Sequence, residues 1–151
     1  MNVGAICSRE VITAHSADGL AVAARMMREK HVGCLVVVDT NAANGDLTVR
    51  GLLTDRDIVV TVIAKEADAR ALRVGDVMSR APLLVRDSQP LAAAIRHMRD
   101  VGVRRAPVVG GRDELVGLLL LDDVLEALAT QLTDVAAAIR TEQRVERSTR
   151  G

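Results

Sequence analysis

The sequence predicts an α+β fold made of two tandem β-α-β-β-α repeats related by a pseudo-twofold axis, with a long helix at the C-terminus. Three observations carry this prediction. The first is internal repetition. Shifted by 71 residues, positions 3–38 fall on 74–109 without a gap, and 13 of the 36 pairs are identical, among them Val3/Val74, Gly4/Gly75, Ser8/Ser79, Arg9/Arg80, Leu20/Leu91, Met27/Met98 and Val32/Val103. The second is that each copy alternates between helical and strand periodicity in the same order. The third is a sustained apolar seam after residue 120.

Each copy opens with a short extended segment, Val11–Ala14 in the first and Pro82–Val85 in the second. An amphipathic helix follows. Its apolar face is Leu20, Ala23, Ala24 and Met27 in copy one and Leu91, Ala94, Ile95 and Met98 in copy two, at spacings of three and four. Two strands rich in β-branched residues come next: 34–39 with 47–53, then 105–109 with 115–119. Past the first strand of each pair the repeat shift drops to 66, so that Gly51-Leu52-Leu53 falls on Gly117-Leu118-Leu119 and Asp57 on Asp123. The five extra residues of copy one fit around Asn41–Asp46, whose Asn-Gly suggests a hairpin turn. A second helix closes each copy. A unit of about 60 residues buries little surface alone, so the two copies should pack as one body. The resulting division is repeat one at 3–64, a charged, Ala-rich connector at 65–73, repeat two at 74–130, and a helical extension with a frayed tail at 131–151. In that extension Leu121, Leu125, Leu128, Leu132, Val135 and Ile139 recur at alternating steps of four and three, a coiled-coil-like seam that ends before Glu142. The seam suits either a cover for the chain's own core or a dimer contact, and Thr141–Gly151 is expected to fray.

Composition narrows the function. There is no Phe, Tyr or Trp, so a bound base must be clamped between aliphatic side chains. This argues against single-strand nucleic-acid platforms, which depend on base–aromatic stacking. With 20 basic and 20 acidic residues the formal charge is zero, which also counts against a nucleic-acid binder, although Arg96, Arg99, Arg104 and Arg105 form a basic group. Cys7 and Cys34 form no CxxC pair and fit a reducing, cytoplasmic setting. The N-terminus lacks the pattern of a signal peptide, and no apolar run approaches the roughly 20 residues that span a bilayer.

Gly51–Ile58 is the stretch with the clearest chemistry: an apolar strand that hands over abruptly to a helix with acids in its first turn. Thr54 with Asp57 three residues on resembles a capping box. The same residues suit a nucleotide. The free N–H groups of a helix start and the Thr54 hydroxyl can hold a phosphate, Arg56 adds positive charge, and Asp57 can accept hydrogen bonds from two ribose hydroxyls. Capping and binding are compatible.

The tandem β-α-β-β-α units, the openings Val3-Gly4-Ala5-Ile6 and Val74-Gly75-Asp76-Val77-Met78, the strand Ala106-Pro107-Val108-Val109 and the Gly-hydrophobic-hydrophobic-Thr-x-x-Asp pattern at Gly51–Asp57 together resemble the cystathionine-β-synthase (CBS) domain pair, or Bateman module. The resemblance covers residues 3 to about 130. It implies a stand-alone regulatory module that binds an adenine nucleotide (AMP first, with ATP, ADP or NAD as alternatives) in the cleft between repeats, with no metal required. Asp57 would hold the ribose and Thr54 the phosphate. From the partner repeat, Arg104 and Arg105 would face the phosphate, and Val103, Leu83 and Met78 the base. A disc-like homodimer acting on a protein target is also implied, and no membrane.

The second copy departs from this pattern. Leu120 stands where the Thr should be and Asp122 where the Arg stands, while Asp123 is kept as the ribose candidate. The residues facing it would be Gly33 and Cys34, which carry no charge. This cleft should therefore hold a phosphate poorly. The other reading is an interaction module with vestigial sites. No Ser–His–acid or Cys–His arrangement can be assembled, so an enzyme is disfavoured. His31 and Cys34 lack two further ligands for zinc, His97 should face solvent, and His15 lies in a turn.

Overall fold

The computed structural model describes residues 1–149. The predicted order holds in both copies. Repeat one runs β1 (Thr13–Ala14), α1 (Leu20–Lys30), β2 (Cys34–Thr40), β3 (Leu47–Thr54) and α2 (Asp55–Ile58), which widens into a π-helical turn over Val59–Ile63. A four-residue helix α3 (Val74–Val77) and strand β4 (Ser79–Arg80) follow. Repeat two runs β5 (Val85–Arg86), α4 (Leu91–Val101), β6 (Arg105–Val109), β7 (Leu115–Leu120) and α5 (Leu121–Thr149). The opening strand of each copy is shorter than the sequence suggests, only two residues long.

The helices form for the reasons their periodicity gives. Leu20, Ala23 and Met27 are buried on α1, and Leu91, Ala94 and Met98 on α4. Both helices stop in the same way. His31 and Gly102, 71 positions apart, adopt left-handed backbone at φ 54° and 77°, and the next N–H, of Val32 or Val103, donates back to the Met27 or Met98 carbonyl. This closes the helix end and turns the chain straight into β2 or β6.

Two sheets result, in the orders β1-β2-β3-β4 and β5-β6-β7. In each, a parallel pair (Thr13 opposite Val36, Val85 opposite Val108) is followed by an antiparallel one (Cys34 opposite Thr54, Arg105 opposite Leu120). Bulges fall at equivalent places, Val37/Val38 and Val108/Val109. The turn at 41–46 joins β2 to β3, with Gly45 at φ 75°, and it reaches copy two through Arg112 on Asp46 at 3.1 Å. Val36, Val38 and Leu118 are buried between the sheets, with Val11, Val49, Leu52, Leu115 and Leu120 packed around them.

Each opening segment packs on the other repeat, which the repetition alone did not reveal. Val74, Val77 and Met78 complete the core of Leu20, Met27, Leu35, Leu53 and Val62. Val3 and Cys7 complete the core of Leu91, Met98, Val108, Leu119 and Val124. Strand β4 adds to the first sheet beside β3, with Ser79 opposite Leu52, and Ser8 exchanges backbone hydrogen bonds of 3.0 and 2.9 Å with Leu118. The interleaving makes one cooperative body, since neither repeat has a closed core without the other's opening.

Helix α5 covers its own core only at its start, through Val124 and Leu121, and from Leu125 onward its large apolar side chains are exposed. It also runs on to Thr149, through the stretch expected to fray; Arg, Glu and Gln are good helix formers, and the Thr149 hydroxyl donates to the Val145 carbonyl. Arg150 and Gly151 lie outside the described residues. No helix among the described residues is long and apolar enough to cross a membrane.

Candidate functional site

The turn from β3 into α2 is a complete capping box. The Asp57 N–H donates to Thr54 Oγ1 at 3.1 Å, and the Thr54 N–H donates to Asp57 Oδ2 at 2.9 Å. The box leaves Asp57 Oδ1 and the Thr54 hydroxyl proton available to a ligand. Further bonds, from the Asp55 N–H to the Gly33 carbonyl at 3.1 Å and from the Arg56 N–H to Asp55 Oδ1 at 2.8 Å, fix this turn against the start of β2. With the Asp57 N–H on Thr54, the first three N–H groups of α2 all have partners, so the expectation that free N–H groups here hold a phosphate needs correction. Its counterpart in copy two runs from the Leu121 N–H to the Arg104 carbonyl, also at 3.1 Å.

Thr54, Arg56 and Asp57 line one side of a cleft of about 400 Å³. The opposite wall comes from the other repeat: Leu83, Val103, Arg104 and Arg105, with Gly102 at the end of α4. Seven of the predicted residues therefore meet here. Leu52, Ser79 and Pro82 also line the cleft and were not predicted. The identity of Ser8 and Ser79 was the available signal, since Ser8 sits in the equivalent place in the second cleft. The apolar part of the wall is aliphatic, as a chain without aromatic residues requires.

Met78, expected against the base, is not among these walls. It follows α3, donates its N–H to the Val74 carbonyl, and is buried in the first core, where its side chain lies against Gly51. Its exposed edge borders a different depression, with Ser16, Asp39, Arg50 and Arg80. Residue 79, not 78, turns toward the cleft, because neighbouring side chains on an extended segment point to opposite sides.

The second cleft, of about 300 Å³, is lined by Ser8, Glu10, His31, Gly33, Cys34, Leu120 and Asp122 among others. Gly33 and Cys34 face it as expected, but the expectation that its facing wall carries no charge needs correction. Arg105 borders this cleft as well as the first, and His31 lines it too. Arg105 opens β6 at the junction of the two clefts, which is why one side chain serves both. Leu120 gives α5 no hydroxyl to match Thr54. Asp123 is partly buried and not among this cleft's walls; burial, with repulsion from Glu126 and Asp122, pushes its carboxyl above the usual range. Burial pushes the Cys34 thiol up to about 11, with Asp57 and Asp55 adding to the shift and Arg105 opposing it. The thiol is therefore neutral near pH 7 and is no nucleophile there.

One contact ties the clefts together. Arg104, on the wall of the first, donates to Asp122, on the wall of the second, at 3.0 Å. Among the described residues no group of three His, Cys, Asp or Glu side chains lies close enough to hold a metal ion.

The family model for the CBS domain matches residues 3–63 and 74–130. The chain is 29% identical over 126 residues to the uncharacterized protein MK0525 of Methanopyrus kandleri, covering 83% of this chain and 62% of that protein, so it spans less than two thirds of that relative's length. It is 30% identical over 128 residues to Hypoxic response protein 1 of Mycobacterium tuberculosis, covering 85% of this chain and 81% of the relative. The structure of CBSX2 in complex with AMP superposes with a TM-score of 0.70 at 29% identity, over 87% of this chain and 98% of that one. With both repeats matched and interleaved around two clefts, the chain belongs to the CBS-domain family as a tandem pair.

Proposed function

We propose that the protein is a cytoplasmic regulatory module that binds an adenine nucleotide, AMP in first place, in the cleft between Asp57 and Arg104, and that it acts as a homodimer rather than as an enzyme. The observation that carries this is a cleft of about 400 Å³ that sets a ribose-competent carboxylate, the Thr54 hydroxyl and Arg56 on one side against Arg104 and Arg105 on the other. That volume is at the small end of ligand pockets, about 300–1,000 Å³, and suits one mononucleotide. The AMP held by the related CBSX2 supports the same ligand class. Asp57 takes the ribose hydroxyls, Leu83 and Val103 flank the base, and the Thr54 hydroxyl with the arginines takes the phosphate. Because the cleft draws on both repeats, a ligand favours whichever arrangement brings them together, in proportion to its differential affinity.

The second reading, an interaction module with empty clefts, draws on the weakened second copy and the exposed face of α5. Ultraviolet absorbance separates the two. With no Phe, Tyr or Trp, the chain is nearly transparent where adenine absorbs, so a purine band from nucleic-acid-free protein reports bound nucleotide. Calorimetry with AMP, ADP, ATP and NAD on stripped protein completes the test. No heat and no thermal shift with any of the four would end the nucleotide reading.

The Arg104–Asp122 pair gives that titration a second use. Both side chains are largely exposed, so the pair contributes little to stability, but a phosphate must compete with Asp122 for Arg104. Asp122→Asn should tighten AMP binding by about two- to fivefold, the equivalent of a surface ion pair of ~0.5–1 kcal/mol. Unchanged or weaker binding would show that Arg104 does not reach the phosphate.

A further inference from the structure

Helix α5 carries a surface that nothing in the described chain covers. At 29 residues it is about 43 Å long, and from Leu125 onward no residue of it is buried. Along this free length Leu125, Leu128, Leu132, Val135 and Ile139 form one stripe, with exposures of 68%, 42%, 72%, 58% and 51%. Ala129 and Ala136 flank the stripe and leave room for a close neighbour. The stripe continues the face by which Leu121 packs on the second core. Helices in water hold mainly through packing of an amphipathic face, so a projecting helix of this composition calls for a partner.

The charges select that partner and its direction. Residues 121–139 carry four acids, Asp122, Asp123, Glu126 and Asp134, and no base, whereas Arg140, Arg144 and Arg147 follow, interspersed with Glu142 and Glu146. A parallel pair would set the acidic halves side by side. An antiparallel pair sets the arginines of each helix against the acidic start of the other. We propose that α5 is the dimer interface, pairing antiparallel with α5 of a second copy about a two-fold axis at Leu132. Leu125 then opposes Ile139 of the second copy, and both helices bury the whole stripe in one self-complementary contact. The second copy's Arg140 and Arg144 come alongside the first turn of α5, where Asp122 lines the second cleft. This deepens the homodimer of the proposed function by naming its surface.

Sedimentation and disulfide trapping on the full chain test it. The wild type should be a dimer, and Leu132→Glu should weaken association at least about tenfold without shifting the unfolding of the body, because the Leu132 side chain is 72% exposed in the single chain. In the antiparallel pair each Leu125 lies about 21 Å from its own counterpart, beyond disulfide reach. Leu125→Cys alone should therefore stay uncross-linked, while an equal mixture of Leu125→Cys and Ile139→Cys should form the mixed disulfide. A monomeric wild type would overturn both the dimer and this interface, whether or not α5 then binds lipid vesicles. A dimer that survives Leu132→Glu would overturn the interface and leave the dimer standing. Self-linking Leu125→Cys would overturn the antiparallel arrangement.

Discussion

Asp57→Ala is expected to weaken AMP binding by about 30- to 1,000-fold, the largest loss from any single side chain of the cleft. Carboxylate hydrogen bonds to a ligand are worth about 1.5–3 kcal/mol each, and two hydroxyls on one carboxylate do not add fully, giving ~2–4 kcal/mol. The substitution also removes the acceptor for the Thr54 N–H, so part of the loss comes from a loosened cap of about 0.5–2 kcal/mol. Asp57→Asn separates the two effects. The amide oxygen keeps the cap, while one of the two acceptor oxygens becomes a donor and the charge is gone. Binding should then fall nearly as far as with Ala, with thermal stability close to wild type. Asp123→Ala should cost much less, since Asp123 lies off the walls of the second cleft and its neighbours Asp122 and Glu126 already oppose its charge. Equal losses from Asp57→Ala and Asp123→Ala in calorimetry would overturn this ranking of the two clefts.

Much of the fold was legible because the chain repeats itself, and identical residues in the two copies turn out to do identical work. Arg9 and Arg80 each donate a guanidinium N–H to the carbonyl of Gly4 or Gly75, at 3.1 and 3.0 Å. Leu20 and Leu91, and Met27 and Met98, fill the same two places in the two cores. Periodicity and turn chemistry, which act over a few residues, placed the elements. The exchange of openings between repeats was not legible, since Val3 and Val74 look equally suited to either core and only the closed structure decides between them. Met78 went astray for the same reason. Its place depends on which side of β4 faces the cleft, a register set by pairing with β3. The double role of Arg105 needs both clefts in view. The outcome for α5 was legible as a choice, and exposure of Leu125 and Leu132 decides against a cover for the chain's own core.

Gly51→Ala is expected to lower stability by about 2–4 kcal/mol, or roughly 5–15 °C in Tm. The reason lies in the exchanged opening. A Cβ at residue 51 would sit 2.5 Å from the Ser79 carbonyl oxygen and 3.0 Å from Met78 Sδ. The sulfur can move, but the carbonyl belongs to the β3–β4 pairing and cannot yield without opening it. Gly117 faces the same constraint in copy two, where a Cβ would come within 2.8 Å of both the Ser8 carbonyl and Cys7 Sγ. The glycine that heads each strand-to-helix motif is thus required by the opening of the other repeat that crosses it, not by any ligand. Gly111→Ala is the control, with open space around its Cβ and no positive φ, and should change stability by less than about 0.5 kcal/mol. Binding then distinguishes the two sensitive glycines. Ser79 lines the first cleft and Ser8 the second, so Gly51→Ala should weaken AMP binding well beyond Gly117→Ala at comparable loss of stability. If Gly51→Ala melts with Gly111→Ala, β4 does not clamp the first repeat. If the two sensitive variants bind AMP alike, the nucleotide does not rest on the wall that β4 supplies.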